Sequence, residues 1–153
     1  MTLAVAIDLD GALGDTRRLW NEWLASATDL LGVEASALPL DRGEAAAELD
    51  ERGGGNWRVL LERFAEERAA VYMRRDSQTS AALRALVAAG REIGVFTDAP
   101  EPLARVALAQ LGAGRRLAAV EAGSGALDRL LERLGADAVV VRSRAELLEQ
   151  GAA

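Results

Sequence analysis

Apolar and polar positions fall into two rhythms along this chain. Leu3-Ala4-Val5-Ala6-Ile7 is an apolar run too short to cross a bilayer and too apolar for a surface loop, so it predicts a buried strand. The spacing then becomes helical. Leu19, Trp23, Ala27 and Leu30 mark one face of a helix that Asp15 or Thr16 caps and Gly32 stops. Residues 33–43 form a Pro-containing connector, Glu44–Arg52 a short helix closed by Gly53-Gly54-Gly55, and Asn56 caps a longer helix. On that helix Trp57, Leu60, Leu61, Phe64 and Arg68 share a face, with Glu62, Arg63, Glu66 and Glu67 on its wetter side.

From about Ser77 helix and strand alternate. The pattern predicts a helix over Ser80–Ala89, a strand at Ile93-Gly94-Val95-Phe96-Thr97 and a helix from near Pro100 to Leu111. A strand at Leu117–Val120, a helix over Gly125–Leu134 and a strand at Ala138–Val141 follow. Ser143-Arg144-Ala145-Glu146 has the capping-box pattern that opens a last helix. Strand, helices, then βαβαβα implies an α/β fold, a doubly wound parallel sheet with helices on both faces. Residues 1–13 and 77–153 make the core, and 14–76 a small all-helical cap inserted after the first strand. Such sheets bind ligands at the carboxyl ends of their strands, where Asp8, Asp10, Thr97, Glu121 and Arg142 are expected to gather.

Composition narrows the chemistry. With 153 residues, half of them apolar but only 4% aromatic, Ala, Leu and Val must fill the core. A net charge of -6 argues against nucleic-acid or anionic-membrane binding. Asp8 interrupts the first apolar run too early for a signal peptide, and with no cysteine a cytoplasmic location is the default. The chain also has no histidine, and all 18 basic residues are arginine. Imidazole bases, His-based zinc sites and any step needing a lysine ammonium are therefore excluded.

The candidate chemistry sits at the end of the first strand, Asp8-Leu9-Asp10-Gly11. Alternation aims Asp8 and Asp10 the same way, and Gly11 frees the backbone for a turn that brings main chain close to a ligand. Paired carboxylates raise each other's pKa and are costly without a cation or a chemical task. The competing reading is a strand end carrying solvated aspartates. Asp98 is either the N-cap of the helix from Pro100 or a site carboxylate. Trp20, Trp23 and Trp57 are either cap packing or a stacking surface, and Gly53-Gly54-Gly55 either a lid loop or a connector.

These residues resemble the haloacid dehalogenase (HAD) superfamily, which is dominated by phosphatases acting through an aspartyl-phosphate. Asp8-Leu9-Asp10-Gly11-Ala12-Leu13 is similar to its first motif, and the strand ending Thr97-Asp98-Ala99-Pro100 to its second. The resemblance implies Asp8 as nucleophile and Asp10 as acid/base. It also implies that Thr97, Asp98 and Gly11 surround a phosphoryl group on a small phosphorylated molecule, with Mg²⁺ held by Asp8 and Asp10; a homodimer through the cap goes instead with a non-catalytic interaction module. The second half departs from the pattern. No lysine follows the third strand, where Glu121-Ala122-Gly123-Ser124-Gly125 stands; Arg115 or Arg116 is left to supply charge. The carboxylates expected after the fourth strand are replaced by Arg142-Ser143-Arg144. Arg142 is expected to pair with Asp8 and Asp10 where the metal would sit. Losing about 3–5 kcal/mol of transition-state stabilisation slows a reaction roughly 10²–10⁴-fold, so the sequence predicts weak or absent phosphatase turnover. Two rival readings are a non-catalytic binding or interaction module and a receiver-like phospho-acceptor. The missing lysine and the long helical insertion disfavour the second.

Overall fold

A computed structural model describes residues 3–52 and 55–153. Strand β1 (Val5–Asp8) runs into a tight turn over Leu9–Leu13, followed by helices α1 (Arg17–Leu31), α2 (Arg42–Glu51) and α3 (Trp57–Tyr72). Then come α4 (Ser77–Ala88), β2 (Ile93–Thr97), α5 (Glu101–Leu111), β3 (Ala119–Ala122), α6 (Ala126–Leu134), β4 (Val139–Val141) and α7 (Arg144–Ala152). The four strands form one parallel sheet in the order β3-β2-β1-β4. The α/β class, the parallel sheet and the helical segment after the first strand agree with expectation. No helix among the described residues is long and apolar enough to cross a membrane.

Side-chain alternation divides the core between the two faces of the sheet. Val5 and Ile7 of β1 and Ile93 and Val95 of β2 pack with Leu83 and Leu86 of α4, Leu108 of α5 and Leu147 of α7. On the opposite face Ala6 and Phe96 meet Ala126 and Leu130 of α6. β1 and β2 lie in the middle of the sheet, so their apolar runs are nearly continuous.

The inserted helices build a third cluster around Trp20, Trp23 and Trp57, whose successive ring centroids are 5.3 and 6.0 Å apart. All three tryptophans are buried, which decides for packing over a stacking surface. That cluster takes in Ala99 and Leu103 at the start of α5, both fully buried, so the cap shares its apolar core with the α/β layer. Leu30 corrects the expected stripe: it is 78% exposed, and Leu31, four residues after Ala27, packs inward instead.

Several ends shift for local reasons. α4 starts early because the Asp76 carboxylate accepts the Gln78 N–H at 2.8 Å. α2 starts early because Asp41 accepts the Glu44 N–H at 2.9 Å. Asn56 occupies the N-cap of α3 without a side-chain bond, whereas Ser143 caps α7 as expected. Gly53 and Gly54 lie outside the described residues.

Candidate functional site

The site begins where β1 turns. Asp8 Oδ1 accepts the Asp10 N–H at 3.1 Å, and the turn closes with Gly11 at φ +108°. That geometry folds Asp10 inward, leaving its side chain 5% exposed. Both oxygens of Asp10 are fully engaged. Oδ1 accepts the Thr16 N–H at 2.8 Å and the Thr16 hydroxyl at 2.7 Å, and Oδ2 accepts the Thr97 hydroxyl at 2.8 Å. The fourth donor is the Arg42 guanidinium, with Nη2 at 2.5 Å from Oδ2. Thr97 thus gives its proton to Asp10 and accepts the Ala99 N–H at 3.2 Å.

Arg42 is the first residue of α2 and only 2% exposed. Besides Asp10 it reaches Thr16 Oγ1 through Nη1 at 2.6 Å and Asp98 Oδ1 through Nη2 at 2.8 Å, while its backbone N–H donates to Asp98 Oδ2 at 3.0 Å. One cap side chain therefore ties together the ends of β1 and β2 and the start of α1. Gly43 next to it lies so close to the loop after β3 that a Cβ would sit 2.0 Å from Ser124 Oγ, so α2 can seat there only with glycine. Sequence reasoning missed Arg42 entirely.

Asp98 resolves in the same contacts. Pro100 takes the N-cap position of α5, and the Asp98 carboxylate is committed to Arg42, which corrects the N-cap reading. Its carboxylate would repel a phosphoryl oxygen, so only its backbone could help hold one. Gly11 likewise approaches the Arg142 carbonyl at the end of β4, where a Cβ would lie 2.8 Å from that oxygen.

Arg142 is half of what was expected. Nη1 lies 3.6 Å from Asp8 Oδ2, with no ion pair to Asp10, whose cation is Arg42. Glu121 does not join the site: Arg129 and Arg133 hold its two oxygens at 2.9 and 2.8 Å. Arg115 and Arg116 sit in a turn before β3, at the opposite end of the parallel sheet, and cannot stand in for the missing lysine.

Two cavities open beside the site, and Asp8 and Asp98 line both. One of about 300 Å³ is bounded by Asp8, Thr97, Gly123, Ser124, Gly125 and Arg142. The other, about 400 Å³, is bounded by Asp8, Arg17, Trp20, Asn21 and Arg42. Asp8 is the open member of the pair, its side chain 20% exposed.

The two aspartates are driven apart in pKa. Burial, then the neighbouring charge of Asp10, pushes the Asp8 carboxyl above its usual value against the weaker pull of the Asp10 N–H and Arg142. Burial alone would raise Asp10 too, but Arg42 and the bonds from Thr16 and Thr97 outweigh it and hold Asp10 below the usual range. A carboxyl-detected NMR titration should show Asp8 protonating before Asp10 as pH falls. The reverse order would mean that Arg42 is not paired with Asp10 in solution.

The donor set does not fit a divalent cation. Among the described residues no three carboxylates, imidazoles or thiolates come close enough together to hold a metal ion. Beside Asp8 stands a guanidinium, and Asp10 has no oxygen left to offer.

Comparison with known proteins agrees with the architecture. No family model matches the chain, and no curated protein matches it. Solved structures do. CbbY from Rhodobacter sphaeroides in complex with phosphate is similar at 15% identity, over 99% of this chain and 84% of that one, with a TM-score of 0.64. A HAD phosphatase from Thermococcus onnurineus is similar at 19% identity, over 92% and 77% of the two chains, with a TM-score of 0.58. A β-phosphoglucomutase from Clostridium difficile is similar at 11% identity, over 99% and 82%, with a TM-score of 0.54. A parallel sheet carrying paired aspartates at the end of its first strand, with helices inserted directly after them, is thus the haloacid dehalogenase-like fold, shared with phosphatase-type structures, and it is the fold of this chain.

Proposed function

We propose that this protein is a HAD-like phosphohydrolase of weak or absent turnover, with Asp8 as the nucleophile facing a small phosphorylated ligand. One observation carries the reading: the Asp10 carboxylate has all four acceptor positions filled, one by a buried guanidinium. A general acid must carry a proton at the working pH and deliver it to the leaving oxygen. Asp10 is instead held ionised and turned into the protein. To serve as the acid it would have to take up a proton, lose Arg42 and break the bonds to Thr16 and Thr97. General acid–base help is worth about 10²–10⁴-fold, and its loss comes on top of the missing lysine and metal ligands. The likeness to a phosphate complex and a HAD phosphatase supports the phosphoryl ligand class. Asp8 can still meet a ligand from either cavity, because it lines both.

The test is steady-state hydrolysis of a panel of phosphate esters, with and without Mg²⁺, by the wild type and Asp8→Asn. The expected turnover lies at least about 10²-fold below the usual enzymatic range of roughly 1–10³ s⁻¹, and Asp8→Asn removes what remains. Magnesium-dependent turnover within that range, abolished by Asp8→Asn, overturns the proposal.

A second reading, a binding module that keeps the fold without catalysis, draws on the closed seat of α2 against Ser124 and Asp98. Thermal stabilisation by inorganic phosphate or a phosphate ester, with no product formed even over long incubation, would favour it.

A further inference from the structure

Residue 142 is fixed against the Asp8 turn by backbone, whatever side chain it carries. β4 pairs with β1 in parallel register as far as Ile7 and Val141, one residue short of both Asp8 and Arg142. Beyond that pair the Arg142 carbonyl faces Gly11 so closely that a Cβ on residue 11 would lie 2.8 Å from the oxygen. The strand end cannot drift away from the turn without breaking this junction. Any side chain at position 142 is therefore presented beside the Asp8 carboxylate.

The side chain presented there is a cation. Its Nη1 lies 3.6 Å from Asp8 Oδ2, and its Cζ stands 5.4 Å from the centroid of the Phe96 ring, a favourable seat for a guanidinium. A divalent ion needs a shell of oxygen ligands, several of them anionic. It would meet a positive charge at the position best placed to supply one, and two like charges a few ångströms apart repel. Asp10 cannot compensate, since its oxygens are taken by Arg42, Thr16 and Thr97.

We infer that residue 142 decides the cation requirement of this site: Arg142 is the resident counter-ion of Asp8, and the cleft loads no divalent cation while arginine stands there. Replacing it with aspartate would turn the same backbone position into a metal ligand. The inference concerns charge at Asp8 and holds whether or not the site turns over, so it can fail while the proposed function stands, and the reverse.

The experiment is Mn²⁺ binding to the whole chain, followed by electron paramagnetic resonance and calorimetry, with no substrate present. The wild type, Asp8→Asn, Arg142→Ala, Arg142→Asp and the double variant Arg142→Asp/Asp8→Asn are compared. Arg142 is 58% exposed, so these changes leave the core untouched, and circular dichroism checks each variant. The expected result is no site-bound Mn²⁺ in the wild type, affinity for one ion gained by at least about tenfold in Arg142→Asp over the wild type, and loss of that gain in the double variant. Should Arg142→Asp fail to fold, Arg142→Asn puts a neutral oxygen ligand in the same place and is expected to bind above the wild type. Two outcomes overturn the inference: a wild type that binds Mn²⁺ and loses it on Asp8→Asn, or an Arg142→Asp protein that binds no more tightly than Arg142→Ala.

Discussion

Replacing Arg42 with methionine is expected to destabilise the fold by about 3–5 kcal/mol, the usual cost of removing one partner from a buried ion pair. The methionine fills much of the volume, so the loss measures charge more than packing. What it leaves behind is Asp10, 5% exposed, with only neutral donors from Thr16 and Thr97 to hold it. The Asp98 arm adds little, because that carboxylate is 41% exposed and water can replace the guanidinium. Urea unfolding at neutral pH checks the size of the effect, and a loss under about 1 kcal/mol would show that the pair is not buried in solution. Adding Asp10→Asn should restore much of the loss, since it removes the stranded charge while the Thr hydroxyls keep an amide partner.

The sign of the pH dependence gives a second, independent check. In the wild type the folded pKa of Asp10 lies below its unfolded value. Its contribution is therefore present above the unfolded pKa and is lost as pH falls through the folded one. Without Arg42 the strongest lowering influence is gone, and burial is opposed only by the bonds from Thr16 and Thr97, so the folded pKa rises. The stabilisation that ionised Asp10 contributes above the unfolded pKa shrinks accordingly. The two proteins should thus converge in stability toward acid pH and separate toward neutral pH.

Arg42 also marks where sequence reading stopped. The strand ending in Asp8 and Asp10, the strand ending in Thr97 and the order of helices were legible because each is a local pattern of apolar spacing and punctuation. Arg42 sits in a connector and short helix where nothing local says where a long side chain will reach. Its partners Asp10 and Asp98 are 32 and 56 residues away. Asp98 stayed open between N-cap and site carboxylate for the complementary reason: Asp followed by Pro two residues on is a sound helix-start signal, and only the arrival of α2 commits the carboxylate to Arg42. Arg142 was legible as the wrong charge at a strand end, but not as the partner of Asp8 alone. Which of two adjacent carboxylates a cation meets depends on a turn that rotates Asp10 inward.

That turn rests on Gly11, and Gly11→Ala should damage the fold at the site. Two costs add. A non-glycine residue at φ +108° carries about 1–3 kcal/mol of backbone strain. A methyl group 2.8 Å from the Arg142 carbonyl must also push against the backbone at the end of β4, which cannot rotate aside as a side chain would, and such overpacking costs about 1–3 kcal/mol. Gly32→Ala separates the terms, because Gly32 has φ +67° and nothing within 4 Å of where its Cβ would be. Unfolding of the ligand-free protein should therefore show Gly11→Ala to be clearly the worse of the two. If Gly11 instead serves only to let main chain approach a ligand, the two variants will match in stability, and Gly11→Ala will differ from Gly32→Ala only in its response to added phosphate. The measured gap reports how firmly β4, and with it position 142, is held against the Asp8 turn.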